Sequence, residues 1–241
     1  METLLFDKTN EQIDYHSRTS TQGEELKMVR GFISSYLKKN RKNNVAIFIE
    51  PQLPSGYPDI VIAEYSSMQK LTYNEYRCKL NSVDLKILFH ILQFNSISKK
   101  SIENALGYTM QDIERSISVL KKSEMIYVSS TGNFIRKHNI KSFFKIKRII
   151  SVEAKIGKWH NVIDQSYTNQ WFSSQSYILI NKFPSSQCKN ICQKEGVGII
   201  FVNNGDYQQL TESIDRKLPV SFMSIQFNEW IYRNEKGAQN E

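Results

Sequence analysis

The chain has 241 residues, 40% hydrophobic and 12% aromatic, which is enough apolar material for a packed core and excludes a disordered tail or a collagen-like chain. Its 32 Lys+Arg against 24 Asp+Glu leave a formal charge of +8 and a pI near 9.2, a field that concentrates polyanions without naming one. No apolar run approaches the roughly 18 residues of a membrane span, the opening METLLFDKTNEQ carries no secretory pattern, and three Cys make no disulfide framework; a cytoplasmic setting with no membrane partner is expected.

The first predicted element is a helix over about Thr21–Lys39, because Leu26, Val29, Phe32, Ile33, Tyr36 and Leu37 recur on one helical face. Ser20 or Thr21 is the expected cap, and Glu24 and Glu25 suit the positive end of the helix dipole. Two strand-like runs follow, Val45–Glu50 and Asp59–Ala63, joined through PQLPSGYP. From about Leu80 to Lys145 the pattern changes to three short helices, with Ser98 and Thr109 as caps and Gly107 as a stop, then two short strands, Met125–Ser129 and Asn133–Arg136. A third run spans Ile146–Ala154. A helix at Lys158–Phe172, a strand at Ser176–Asn181, a helix at Ser185–Lys194 and a strand at Val197–Val202 complete an α/β alternation with at least one parallel pair.

The segment 80–145 resembles a winged helix-turn-helix domain in the order of its elements. It carries ten Lys+Arg and five Asp+Glu, and the resemblance implies that Lys99, Lys100, Arg115, Lys121, Lys122, Arg136 and Lys137 face DNA phosphates, with Asp112 and Glu114 opposing them. A protein-contact role for the same module is the other reading.

An acidic residue two positions before Lys occurs four times, at Glu25–Lys27, Asp84–Lys86, Glu153–Lys155 and Asp215–Lys217. Only Glu153–Lys155 closes a strand-like run, where residues two apart share a face. With Pro58-Asp59 upstream and the Glu-bearing helix before it, this resembles the PD-(D/E)XK nuclease superfamily over residues 20–64 and 146–203. The resemblance implies a restriction-endonuclease-like mixed sheet flanked by helices, divided as a core of 1–70 and 146–241 around an inserted α+β winged-helix domain at 71–145. It implies Asp59 and Glu153 as metal-binding carboxylates, Lys155 as the catalytic lysine, Glu25 as a further acid and third metal ligand, and Gln165 as a helix-borne helper. Asp59 and Glu153 stand 94 positions apart, a wide gap that the insertion explains, and Glu50 is the substitute ligand.

Oxygen ligands of this kind suit Mg²⁺, with Mn²⁺ as a substitute, and a nearby ammonium stabilises charge growing on a phosphate. The expected function is metal-dependent hydrolysis of DNA phosphodiester bonds. A homodimer would let two sites cut both strands, and a protein partner could dock on the winged domain. The alternatives are a DNA-binding or assembly protein with a silent core, and a nuclease subunit of a transposition or phage-defence system that needs a partner. For Glu153 and Lys155 the plain reading is a surface ion pair; for Asp59, a turn residue; for Glu25, helix electrostatics; for Gln165, a solvated helix position. The four His show no metal-ligand spacing, and Cys188 and Cys192 read as inert thiols.

Overall fold

A computed structural model of the chain describes residues 2–19, 22–41, 43–66, 74–136, 144–157, 159–203 and 206–237. In chain order its elements are β1 (Thr3–Phe6), α1 (Glu24–Lys39), β2 (Asn44–Ile49), β3 (Ile60–Tyr65), α2 (Glu75–Cys78), α3 (Ser82–Leu92), α4 (Lys99–Leu106), α5 (Met110–Lys122), β4 (Ile126–Val128), β5 (Phe134–Arg136), β6 (Ile146–Lys155), α6 (His160–Thr168), β7 (Gln175–Ile180), α7 (Ser186–Glu195), β8 (Gly198–Asn203), β9 (Asp206–Thr211) and α8 (Phe222–Gly237). They divide into two compact units, Met1–Ser66 with Ile146–Val220, and Ser67–Lys145 with Ser221–Glu241.

The first unit is an α/β layer built on a mixed seven-stranded sheet of order β1-β2-β3-β6-β7-β8-β9. β1–β2, β6–β7 and β7–β8 pair in parallel, each across a helix, while β2–β3, β3–β6 and β8–β9 are antiparallel. Side-chain alternation sorts the two faces. On one, Met28, Val29, Phe32, Ile33 and Tyr36 of α1 pack against Ile47, Ile62, Val152, Ala154 and Leu179. On the other, Val162 and Ile163 of α6 and Cys188 and Cys192 of α7 cover Ile178, Ile180 and Ile199. β7 is buried along its whole length because both of its faces are covered.

Helix α1 starts at Glu24, with Gly23 at its N-cap and no side-chain cap. The expected caps, Ser20 and Thr21, lie outside the described residues. Its acidic first turn and Lys38 and Lys39 at the far end compensate the dipole as predicted. Cys188 and Cys192 are fully buried and hydrogen-bonded to one another, and burial pushes the Cys192 thiol up to about 12, so both stay protonated and unreactive.

Where β7 meets β8, Gly198 lies opposite Tyr177. A Cβ on Gly198 would come within 2.2 Å of the Tyr177 ring and 2.9 Å of the Ser213 backbone nitrogen. Gly198→Ala is therefore expected to cost about 1–3 kcal/mol, the usual range for overpacking. A clearly lowered Tm checks it; an unchanged Tm would contradict it.

In the second unit, α3, α4 and α5 are capped by Asn81, Ser98 and Thr109, and β4 and β5 form a two-stranded antiparallel sheet. Gly107 ends α4 in the left-handed conformation that glycine adopts without steric cost. The C-terminal stretch differs from expectation, since Ser221–Glu241 groups with Ser67–Lys145 and not with the sheet. Helix α8 is tied there by a buried, bidentate ion pair of 2.8–2.9 Å between Glu229 and Arg77, whose guanidinium also lies 3.9 Å from the Tyr232 ring centroid. No helix among the described residues is long and apolar enough to cross a membrane.

Candidate functional site

Strand β2 ends at Ile49, and Glu50 follows with φ of +46°, a left-handed conformation that costs a non-glycine residue roughly 1–2 kcal/mol. The chain turns between Leu53 and Gly56, which exchange backbone hydrogen bonds of 2.9 and 3.0 Å, and returns into β3. Asp59 is thus fixed just ahead of β3, where its carbonyl accepts the Glu50 N–H at 3.1 Å.

The antiparallel register sets Ile60 opposite Val152, so Asp59 and Glu153 meet one step further along. The separation of 94 positions leaves β3 and β6 adjacent because residues 67–145 belong to the second unit. The Ala154 N–H donates to Asp59 Oδ2 at 2.7 Å, and Glu153 is 4% exposed. Asn169, in the 3₁₀ turn after α6, donates to Glu153 Oε1 at 2.6 Å.

Burial raises both carboxyl groups. Asp59 is pushed up to about 6 by desolvation and by the negative charges of Glu25 and Glu50, against the pull of the Ala154 N–H. Glu153 is pushed up to about 8 by desolvation, then by the charge of Asp59 and the hydrogen bond the two share. Both groups are thus shifted toward their protonated forms, above the range in which isolated carboxylates ionise.

Lys155 ends β6, and its ammonium lies 3.3 Å from Glu25 on the first turn of α1, both side chains being 41% exposed. Glu50 is buried and ion-paired with Arg18, whose guanidinium also lies 5.4 Å from the Tyr57 ring centroid. Glu25, Glu50, Asp59 and Arg18 line one small cavity of about 50 Å³. Of the residues singled out from sequence, Asp59, Glu153, Lys155, Glu25 and Glu50 therefore come together at one end of the sheet. Gln165 does not: it is exposed on α6, and Asn169, four residues on, makes the contact to Glu153. Nothing in the sequence marks Asn169; its role depends on where the 3₁₀ turn follows α6.

Among the described residues, no group of three or more His, Cys, Asp or Glu is arranged to hold a metal ion. Glu25, expected as a third ligand, is engaged by Lys155. The donor set of two buried carboxylates fits a hard cation nonetheless, because Mg²⁺ keeps several waters and takes only one or two carboxylates from a protein when a phosphate completes its shell. Asp59 and Glu153 are the residues that would hold it, and a cation there would offset the burial and like-charge repulsion that raise both groups.

In the second unit, Lys99 is paired with Glu114 at 2.7 Å and Lys100 with Glu103 at 2.8 Å. Arg115 is bound to the fully buried Asp84 at 3.0 Å, and Ser116 donates to the same oxygen at 2.6 Å. Lys121 and Lys122 line a groove of about 420 Å³ with Lys99, Val128 and Phe134. Arg136 ends β5, and Lys137 lies outside the described residues.

Comparison of the chain with protein-family models, with curated proteins and with solved structures finds no match in any of the three.

Proposed function

We propose that the first unit is a divalent-metal-dependent nuclease core of the PD-(D/E)XK type, hydrolysing DNA phosphodiester bonds. The observation that carries this reading is the buried Asp59–Glu153 pair, brought from positions 94 apart in sequence to adjacent strands, with Lys155 on the strand that carries Glu153. A bound Mg²⁺ or Mn²⁺ would supply charge neutralisation and an acidified water. The chain's own groups do the rest. Asp59 is held in place by the Ala154 N–H and Glu153 by the Asn169 amide, so the carboxylates keep their aim when ionised. Lys155 places a positive charge beside a phosphate oxygen as negative charge grows on it, once the phosphate displaces Glu25 from the ammonium. That exchange costs little, because a half-exposed ion pair is worth at most about 1 kcal/mol.

For the second unit, three helices followed by a hairpin support the winged-helix reading, with DNA or a protein as its partner. Lys121, Lys122 and Arg136 are its best phosphate contacts, and Lys99 and Lys100 can trade their acid partners, exposed Glu114 and partly exposed Glu103, for phosphate. Arg115 is a poor candidate, since leaving Asp84 would strand a buried carboxylate. Cleavage of both strands would use two copies of the chain.

The specific observation favouring the rival reading, a silent core in a DNA-binding or assembly protein, is the pairing of Lys155 with Glu25 in place of a third free acid. Incubation of the protein with duplex DNA separates the two. Cleavage in Mg²⁺ that stops in EDTA is the expected result, and salt-sensitive binding with no cleavage under any divalent ion would overturn it.

A further inference from the structure

A second concavity, of about 520 Å³, adjoins the carboxylate cavity and shares Arg18, Leu26 and Ile49 with it. Helix α1 supplies part of both walls. Glu25 and Val29, four residues apart and so on one helical face, line the acidic cavity. Leu26 and Arg30, also four apart on the neighbouring face, line the larger cleft.

The cleft has the opposite electrostatic character to its neighbour. Lys8, Arg18 and Arg30 contribute three cations, against one exposed carboxylate, Asp7. Arg18 is shared with Glu50, whereas Lys8 and Arg30 are exposed and have no carboxylate partner among the described residues. Hydroxyl groups of Ser17 and Thr19 and the Gln22 amide line the same walls, adding neutral hydrogen-bond donors. An arginine fork, an ammonium and small polar donors beside an acid-lined notch make up a site for an anion with two or more accepting oxygens.

We infer that Lys8, Arg18 and Arg30 form a subsite for the DNA backbone, holding the phosphodiester next in line to the one presented to Asp59 and Glu153. This deepens the nuclease reading and rests on it for the direction of the strand. A DNA strand carries a charge about every 3.4 Å of helix axis, so a backbone whose one phosphate lies at the carboxylates must pass further phosphates over an adjoining cavity. An uncompensated acidic cleft alone would repel that strand; the flanking cations reverse the sign of the approach.

The test is a salt series of DNA binding, read by fluorescence anisotropy with a labelled duplex in EDTA. All variants carry Glu153→Gln, which guards the duplex against residual cleavage during the titration. Arg30→Ala and Lys8→Ala are each expected to lower the slope of log K against log salt by about 0.9, the release expected for one lost phosphate contact, and the double variant by about twice that. Arg30→Lys, which keeps the charge, should retain the slope. An unchanged slope in the double variant overturns the inference, as does a parent that does not bind DNA. Failure of the nuclease reading looks different: the slopes fall as expected, while the protein with Glu153 intact leaves DNA uncut in Mg²⁺.

Discussion

Glu153→Gln and Asp59→Asn are each expected to bring Mg²⁺-dependent DNA cleavage to background while leaving the protein folded and still bound to DNA. Both substitutions keep the shape and some hydrogen bonding of a buried group and remove the titrating charge with which it would hold a cation. Lys155→Ala acts on the same reaction through another term. It removes a positive charge from the site of developing negative charge, which typically costs about 10²–10³ in kcat. Asn169→Ala frees the Glu153 side chain from its 2.6 Å tether, and loss of such an outer partner usually costs about 10–100-fold in metal affinity or activity. Gln165→Ala serves as the control, because Gln165 is exposed and should leave cleavage unchanged. Single-turnover cleavage of a labelled duplex measures all five. Full activity in Glu153→Gln would refute the site.

Stability should respond to pH in the direction opposite to that of a salt-bridged acid. In the unfolded chain Asp59 and Glu153 titrate near 3.8 and 4.5, and in the folded chain near 6 and 8. Between these values the folded state binds more protons than the unfolded one, so stability is fully present below about pH 4 and is lost as pH rises through about 6 to 8. The difference in Tm between the wild type and Glu153→Gln isolates this contribution from other titrating groups. Without divalent ions, Glu153→Gln should gain on the wild type as pH rises from about 5 to about 8, because the amide has no charge to bury. Millimolar Mg²⁺ should return stability to the wild type at the upper end and do little for the variant, since a ligand that binds only the folded state stabilises it by mass action. A Tm difference that stays flat across the range would contradict the buried pair.

Much of the first unit is legible in the sequence because its elements are covered unequally. Helix α1 has one apolar stripe and one charged face, and β2, β3, β6, β7 and β8 are short apolar runs bounded by turns. What escapes notice has little local signal. β1 is four residues long, and β9, Asp-Tyr-Gln-Gln-Leu-Thr, is a polar strand at the sheet edge whose pairing to β8 comes from tertiary context. Helix α8 is concealed for the reverse reason. From Met223 to Arg233 every residue is buried, polar Gln226, Asn228 and Glu229 included, so it has no solvent face to give a periodic pattern. The helix read as Lys158–Phe172 is in fact α6 followed by a 3₁₀ turn, and that turn is what brings Asn169, not Gln165, to the carboxylates.

In the candidate site, the acids and the lysine could be picked out because a strand places Glu153 and Lys155 at its end and Pro58 fixes Asp59 at a turn. Their partners could not. The Asp59–Ala154 contact depends on strand register across 94 residues, and the Glu50–Arg18 pair on a left-handed backbone position that no residue type announces. The basic side chains of the second unit show the same limit. Composition counts Arg115 as a free cation, but folding commits it to Asp84, itself part of the cap of α3.

Crystals soaked in Mn²⁺ give the most direct measurement, because anomalous scattering locates the ion without reference to activity. The expected result is a single strong peak roughly 2.1 Å from a carboxylate oxygen of both Asp59 and Glu153, the spacing of a hard cation in an oxygen shell. A peak bound to only one of the two, or the pair still hydrogen-bonded to one another with the ion elsewhere, would contradict it.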